Sequence, residues 1–130
     1  MDSPHLKKRI LIIDDESDYL YFMSFNLKAR GTYDVEVVNK PEKALAIAQK
    51  FHPDITLLDL LMPKMNGAEV ALQFKKDAAL SQMPIIFMTG SNLDEIQKAE
   101  ELTNGGSVPL IVKPATLETI LTCIEKTLAA

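Results

Sequence analysis

At 130 residues with 47% hydrophobic content, the chain has the length of one ordinary globular domain, with apolar material for one core and no room for a second domain. A net charge of −4 without blocks of like sign excludes a basic footprint for nucleic acid and a charged membrane-surface patch, so any nucleic-acid contact would belong to a partner. After the opening HLKKR only ILII precedes the first acids, too short a run for a signal peptide or a spanning helix, and a cytoplasmic location is expected.

Residues 9–13 (RILII) form the first short run rich in Ile, Val and Leu, and such runs bounded by turn or charged residues predict strands. A helix follows, with Leu20, Met23 and Leu27 at helical spacing and Gly31 where it should stop. Residues 35–38 (VEVV) predict the second strand, and Pro41 can open the helix that carries Ala44, Leu45 and Ala48. The third and fourth strands fall at 55–58 (ITLL) and 84–88 (PIIFM), and Asn92 with Asp94 and Glu95 suits the start of the next helix. Residues 110–112 (LIV) predict the fifth strand, before a final helix that would bury Leu117, Ile120, Leu121, Ile124 and Leu128. Pro109 cannot donate to a ladder, which places the fifth strand at a sheet edge.

Strict alternation with nearly continuous apolar strands implies a parallel sheet covered on both faces, because parallel strands need crossovers that bury them on both sides. The fold class is therefore α/β, a doubly wound five-stranded parallel sheet. Within the first helix, Tyr19 and Phe22 are assigned to the core. Tyr21 and Phe25, four apart, would make an exposed patch suited to a partner or to a homodimer, although partial burial without a partner is the commoner fate of such residues. The single cysteine, Cys123, permits no internal disulfide and reads as a small apolar residue on the inner side of the last helix. His5 and His52 have no metal-ligand spacing and read as solvated.

In a doubly wound sheet the functional crevice lies outside the carboxyl ends of the strands. The first strand ends in Asp14 and Asp15, the third in Asp59, the fourth in Thr89 followed by Gly90, and the fifth in Lys113 followed by Pro114. Each alone is unremarkable: an acidic pair after a strand more often starts a helix, and a lone lysine is an ordinary surface charge. Their joint placement at successive strand ends carries the inference. Three converging carboxylates repel one another, which partial protonation or a bound cation relieves, and an all-oxygen set suits Mg²⁺. Lys113 and the Thr89 hydroxyl add a point charge and a donor for an anion, with Gly90 leaving room for it. A carboxylate can then attack phosphorus, and Asp59 is the candidate nucleophile. Positioning and charge neutralisation dominate such transfers, so no acid–base histidine is required.

These residues lie in the segments ILIIDDE, PDITLLDLLMPKMNG, IIFMTG and LIVKP, and with them the chain resembles the receiver domain of bacterial two-component response regulators over about residues 7 to 128. The resemblance implies a flavodoxin-like strand order of 2-1-3-4-5, phosphorylation on Asp59 by a histidine kinase or histidine phosphotransfer protein, and a downstream output protein or domain as second partner. It implies Mg²⁺ bound directly by Asp15, Asp59 and the Leu61 backbone carbonyl, with Asp14 acting largely through water. Thr89 becomes the switch hydroxyl, Lys113 the phosphate-pairing lysine, and the Lys113–Pro114 peptide cis. The protein would be a signalling phosphoacceptor rather than an enzyme with a separate substrate. One departure stands out, since the family usually has Tyr or Phe three residues before the lysine and this chain has Leu110. The stretch from Thr103 to Val108 is also slightly long for the family.

Two other functions are open to such a site. One is a receiver-like interaction module working independently of phosphorylation. The other is an aspartyl phosphohydrolase, a class that wants a second acid two residues after the nucleophile, where Leu61 stands.

Overall fold

Ile10, Leu11, Ile12 and Ile13 are all fully buried in succession, which in a strand requires cover on both faces. The computed structural model, which describes residues 7–90, 92–102 and 108–130, shows how they are covered. Along the chain run β1 (Lys8–Ile13), α1 (Ser17–Ala29), β2 (Tyr33–Val38), α2 (Ala44–Phe51), β3 (Ile55–Asp59), α3 (Gly67–Lys75), β4 (Ile85–Thr89), α4 (Leu93–Leu102), β5 (Leu110–Val112) and α5 (Leu117–Ala129). The strands form one parallel sheet in the order β2-β1-β3-β4-β5, the flavodoxin-like order.

Alternate side chains of each strand feed different layers. Leu11, Ile13, Leu58 and Phe87 pack with Ala44 and Ala48 of α2, Val70 and Phe74 of α3 and Ala99 of α4. Ile10, Ile12, Leu57, Ile86 and Met88 pack on the other face with Leu20, Met23 and Leu27 of α1 and Ile120, Leu121 and Ile124 of α5. Each such aliphatic side chain contributes about 1.5–3 kcal/mol on burial, and the two layers clamp the sheet so that its strand ends are fixed relative to one another.

Several local expectations hold. Gly31 takes φ +76° just past α1, its amide donating to the Lys28 carbonyl at 3.0 Å. Asn92 accepts a hydrogen bond from the Glu95 amide at 2.8 Å at the start of α4. β5, with Pro109 just before it, is an edge strand, and the Pro109 carbonyl still accepts from the Phe87 amide at 2.9 Å. His52 is exposed and closes α2 in the left-handed region, with φ 54°.

Other details differ. Pro41 opens a short 3₁₀ turn (Pro41–Lys43), and α2 begins only at Ala44. Phe22 is 55% exposed rather than in the core, because it stands two residues, more than half a turn, from Leu20 and so faces away from the buried row. With Tyr21 and Phe25, at 71% and 74% exposure, it makes one aromatic face on α1, while Tyr19 is half-buried. Leu117 and Leu128 are half-buried at the ends of α5. Most of the stretch suspected of extra length lies outside the described residues, as does His5.

Candidate functional site

The register of the sheet carries the strand ends to one place. Ile13 pairs with Leu58, so Asp14 comes level with Asp59, and Asp59 in turn pairs with Met88, immediately before Thr89. The Asp14 amide donates to the Val38 carbonyl of β2 at 3.1 Å, extending β1 by one residue and fixing where Asp14 turns inward. Asp14 is fully buried, Asp59 is 4% exposed, and Asp15 is exposed to solvent. One carboxylate oxygen from each of the three lies within 4.8 Å of the others.

Lys113 closes the cluster from β5. Its amide donates to the Thr89 carbonyl at 2.7 Å, and the Lys113–Pro114 peptide is cis. The Lys113 ammonium lies 2.8 Å from Asp14 Oδ2, 2.9 Å from Glu16 Oε1 and 3.6 Å from Asp59 Oδ2. It is also 5.0 Å from the centroid of the Tyr19 ring. The Thr89 hydroxyl, fully buried, donates to the Glu95 carbonyl at 3.4 Å, on the α4 side of the crevice. Leu61, two residues past Asp59, lines an open groove with Asn92, Leu93 and Glu95 of the α4 start.

The electrostatics follow from three acids facing one lysine. Burial, and then the charge of Asp14, push the Asp59 carboxyl up to about 8 against the opposing pull of Lys113. Burial likewise raises Asp14, with its hydrogen bond from Lys113 working the other way. Burial alone would lower the Lys113 ammonium, but its hydrogen bonds to Asp14 and Glu16 prevail and it is held raised, hence charged. The cluster is short of positive charge, and its all-oxygen donors Asp14, Asp15 and Asp59 are of the kind that hold a hard divalent cation.

Three features were not legible beforehand. Glu16 is the second partner of Lys113, although only its place after the acidic pair hinted at a role. Gly67, the first residue of α3, sits against the backbone of Asp59 and Leu60, where a Cβ would overlap the Asp59 carbonyl oxygen. The space expected above Gly90 is filled by the Glu95 carboxylate, with which a Cβ at that position would collide. That is a correction: the gap over Gly90 holds an acid of this chain.

The family model of the response regulator receiver domain matches residues 10–125, nearly the whole chain and all the strand ends that build the crevice. The chain belongs to this family. The receiver is 31% identical over 123 residues to Protein PilH of Pseudomonas aeruginosa, covering 93% of this chain and 98% of PilH. It is 37% identical over 109 residues to a probable cyclic di-GMP phosphodiesterase of Vibrio cholerae, covering 83% of this chain but only 24% of that protein. Against the DNA-binding regulator RpaA of Synechocystis it is 33% identical over 113 residues, 87% of this chain and 46% of RpaA. The receiver thus spans less than half the length of these last two relatives. Among solved structures, the chemotaxis protein CheY4 of Vibrio cholerae superposes with a TM-score of 0.81 at 27% identity, covering 93% of the receiver and 98% of CheY4. The receiver is a signalling module of two-component systems, a class whose members interact with histidine kinases and output domains. Among the described residues no helix is long and apolar enough to cross a membrane.

Proposed function

We propose that the receiver, over residues 7–128, takes a phosphoryl group onto Asp59 from a histidine kinase or histidine phosphotransfer protein, and that the phosphorylated form changes its affinity for a downstream output protein or domain. The observation that carries this reading is the buried Asp59 carboxylate at the end of β3, flanked by two further carboxylates and within 3.6 Å of a charged lysine. Asp14, Asp15, Asp59 and the Leu61 backbone carbonyl would hold Mg²⁺. When bound, Mg²⁺ supplies the positive charge that keeps Asp59 ionised and screens the phosphoryl oxygens. An Asp59 oxygen attacks phosphorus, and the bond from phosphorus to the donor breaks as the new bond forms. Lys113 pairs with a phosphoryl oxygen, and the Thr89 hydroxyl turns from the Glu95 carbonyl toward the same group, tightening the crevice against α4. Attack by water at phosphorus later returns Asp59 to the free acid.

Intact mass after incubation with Mg²⁺ and acetyl phosphate tests this directly. The parent chain gains a single Mg²⁺-dependent phosphoryl adduct, and Asp59→Asn gains none. An unmodified parent that also fails to bind Mg²⁺ would instead be an interaction module working without phosphorylation.

The output side depends on Leu110, half-buried in β5 against the layer of α2, α3 and α4. A leucine moving in or out changes less surface than an aromatic ring and offers no hydroxyl, so that face responds weakly. On binding beryllofluoride with Mg²⁺, amide shift changes around Leu110 will be smaller than those around Thr89. Equal changes would contradict it.

A further inference from the structure

The Lys113 ammonium makes its two shortest contacts with Asp14 and Glu16, at 2.8 and 2.9 Å, and stands farther, at 3.6 Å, from the Asp59 oxygen. Beneath it lies the Tyr19 ring, within the range at which an aromatic face attracts a cation. Asp14 belongs to the metal cluster, but Glu16 and Tyr19 do not. Glu16 lies at the mouth of the crevice with its side chain 65% exposed, and Tyr19 is half-buried among the apolar residues of α1 and α5. The Tyr19 hydroxyl is buried and has no hydrogen-bond partner among the described residues. A buried hydroxyl without a partner is a cost, so the ring face, rather than the hydroxyl, is what this tyrosine offers the site.

Resting on the reading above, we infer that Glu16 and Tyr19 form a cradle that holds the Lys113 ammonium in its resting place and competes for it with the phosphoryl group on Asp59. A phosphoryl oxygen can pair fully with Lys113 only by drawing it off Glu16 and away from the ring. The two side chains are positioning residues: they weaken the phosphorylated state relative to a receiver whose lysine is unclaimed, and so shift the two-state equilibrium toward the resting form.

Beryllofluoride affinity at saturating Mg²⁺, read by ¹⁹F NMR on the full chain, tests the inference, with Mg²⁺ affinity measured separately for each variant. Glu16→Gln is expected to tighten beryllofluoride binding by about threefold, the scale of a largely exposed ion pair, with Mg²⁺ affinity unchanged. Tyr19→Leu is expected to tighten it by about twofold to threefold, while Tyr19→Phe, which keeps the ring, matches the parent. Asp18→Asn removes an equal charge in the first turn of α1, from a residue for which no contact to Lys113 is seen, and is expected to change affinity less than about 1.5-fold. The inference is overturned if Asp18→Asn matches Glu16→Gln, which would make the effect one of general field. It is overturned as well if Glu16→Gln weakens Mg²⁺ or beryllofluoride binding, or if Tyr19→Phe behaves as Tyr19→Leu. A parent chain that binds no beryllofluoride at all sinks the phosphoacceptor reading together with this one.

Discussion

Asp59→Asn is expected to stabilise the metal-free protein at pH 7.5 by about 2–4 kcal/mol, and to leave its stability nearly unchanged at pH 4. The cause is the burial that lifts the Asp59 carboxyl to about 8, assisted by the adjacent Asp14 charge. In the unfolded chain the same group titrates near about 3.9. A carboxyl whose folded value is raised binds its proton more tightly in the folded state. Its contribution is therefore most favourable below the unfolded value and is lost as pH rises from about 4 to about 8, after which it is constant. Each unit of displacement corresponds to about 1.4 kcal/mol; the pull of Lys113 at 3.6 Å is already contained in the value of about 8, and relaxation around the buried charge brings the expected figure below the full product. Lys113 itself is raised by its pairings, so its stabilisation is present below about pH 10 and does not vary inside this window. Urea unfolding in chelator at several pH values checks the expectation. The parent loses stability steadily between pH 4 and 8 while the variant stays flatter, and Mg²⁺ narrows the gap by stabilising the parent more. A constant difference across that range would mean that Asp59 is not held protonated by its surroundings. On the proposed reading, the same sensitivity that makes Asp59 costly to ionise would make it responsive to a bound cation and to a phosphoryl group, so that the instability and the switch would share one physical origin.

How much of this was visible beforehand follows from which forces act locally. The apolar runs at 9–13, 55–58 and 84–88 read as strands because β1, β3 and β4 are interior strands buried on both faces, leaving no alternation to blur them. β2 is an edge strand with partly exposed residues, and it begins at Tyr33, two residues before its apolar run, because Lys8 and Arg9 of β1 supply pairing partners for Tyr33 and Asp34. Nothing within residues 33–38 alone signals that. The strand ends Asp14, Asp59, Thr89 and Lys113 were legible because the fold class itself names the carboxyl end as the place to look. Glu16 was not, because its bond to Lys113 joins residues 97 apart and depends on how β1 and β5 sit across β3 and β4. The misassigned Phe22 shows the complementary limit: composition announces a surplus of aromatic side chains on α1, while the angle around the helix decides which of them faces the core. The gap over Gly90 failed for a third reason, since a missing Cβ says where space exists and not which neighbouring side chain enters it.

Gly67→Ala is expected to cost about 2–3 kcal/mol of stability and to slow phosphoryl uptake at Asp59 by on the order of tenfold to a hundredfold in protein that remains folded. Gly67 starts α3 under the Asn66 cap, and its amide donates to the Leu60 carbonyl at 2.7 Å, drawing the helix end onto the end of β3. A methyl group there would overlap the Asp59 carbonyl oxygen and lie 2.9 Å from Leu60 Cα. Both obstacles are backbone, so no side chain can rotate to admit it, and either α3 or the end of β3 must move. Because Asp59 is the residue displaced, the damage would reach the proposed acceptor as well as the packing. Gly31 provides the contrast: its φ of +76° makes alanine strained there by about 1 kcal/mol, but nothing lies within 4 Å of the added carbon and the position is remote from the crevice. Gly31→Ala should therefore lose stability without losing phosphorylation rate at a temperature where both variants are folded. Thermal unfolding paired with the time course of adduct mass separates the two effects. If Gly67→Ala took up phosphoryl at the parent rate, the close seat of α3 on β3 would be a packing detail and not what holds Asp59 in place.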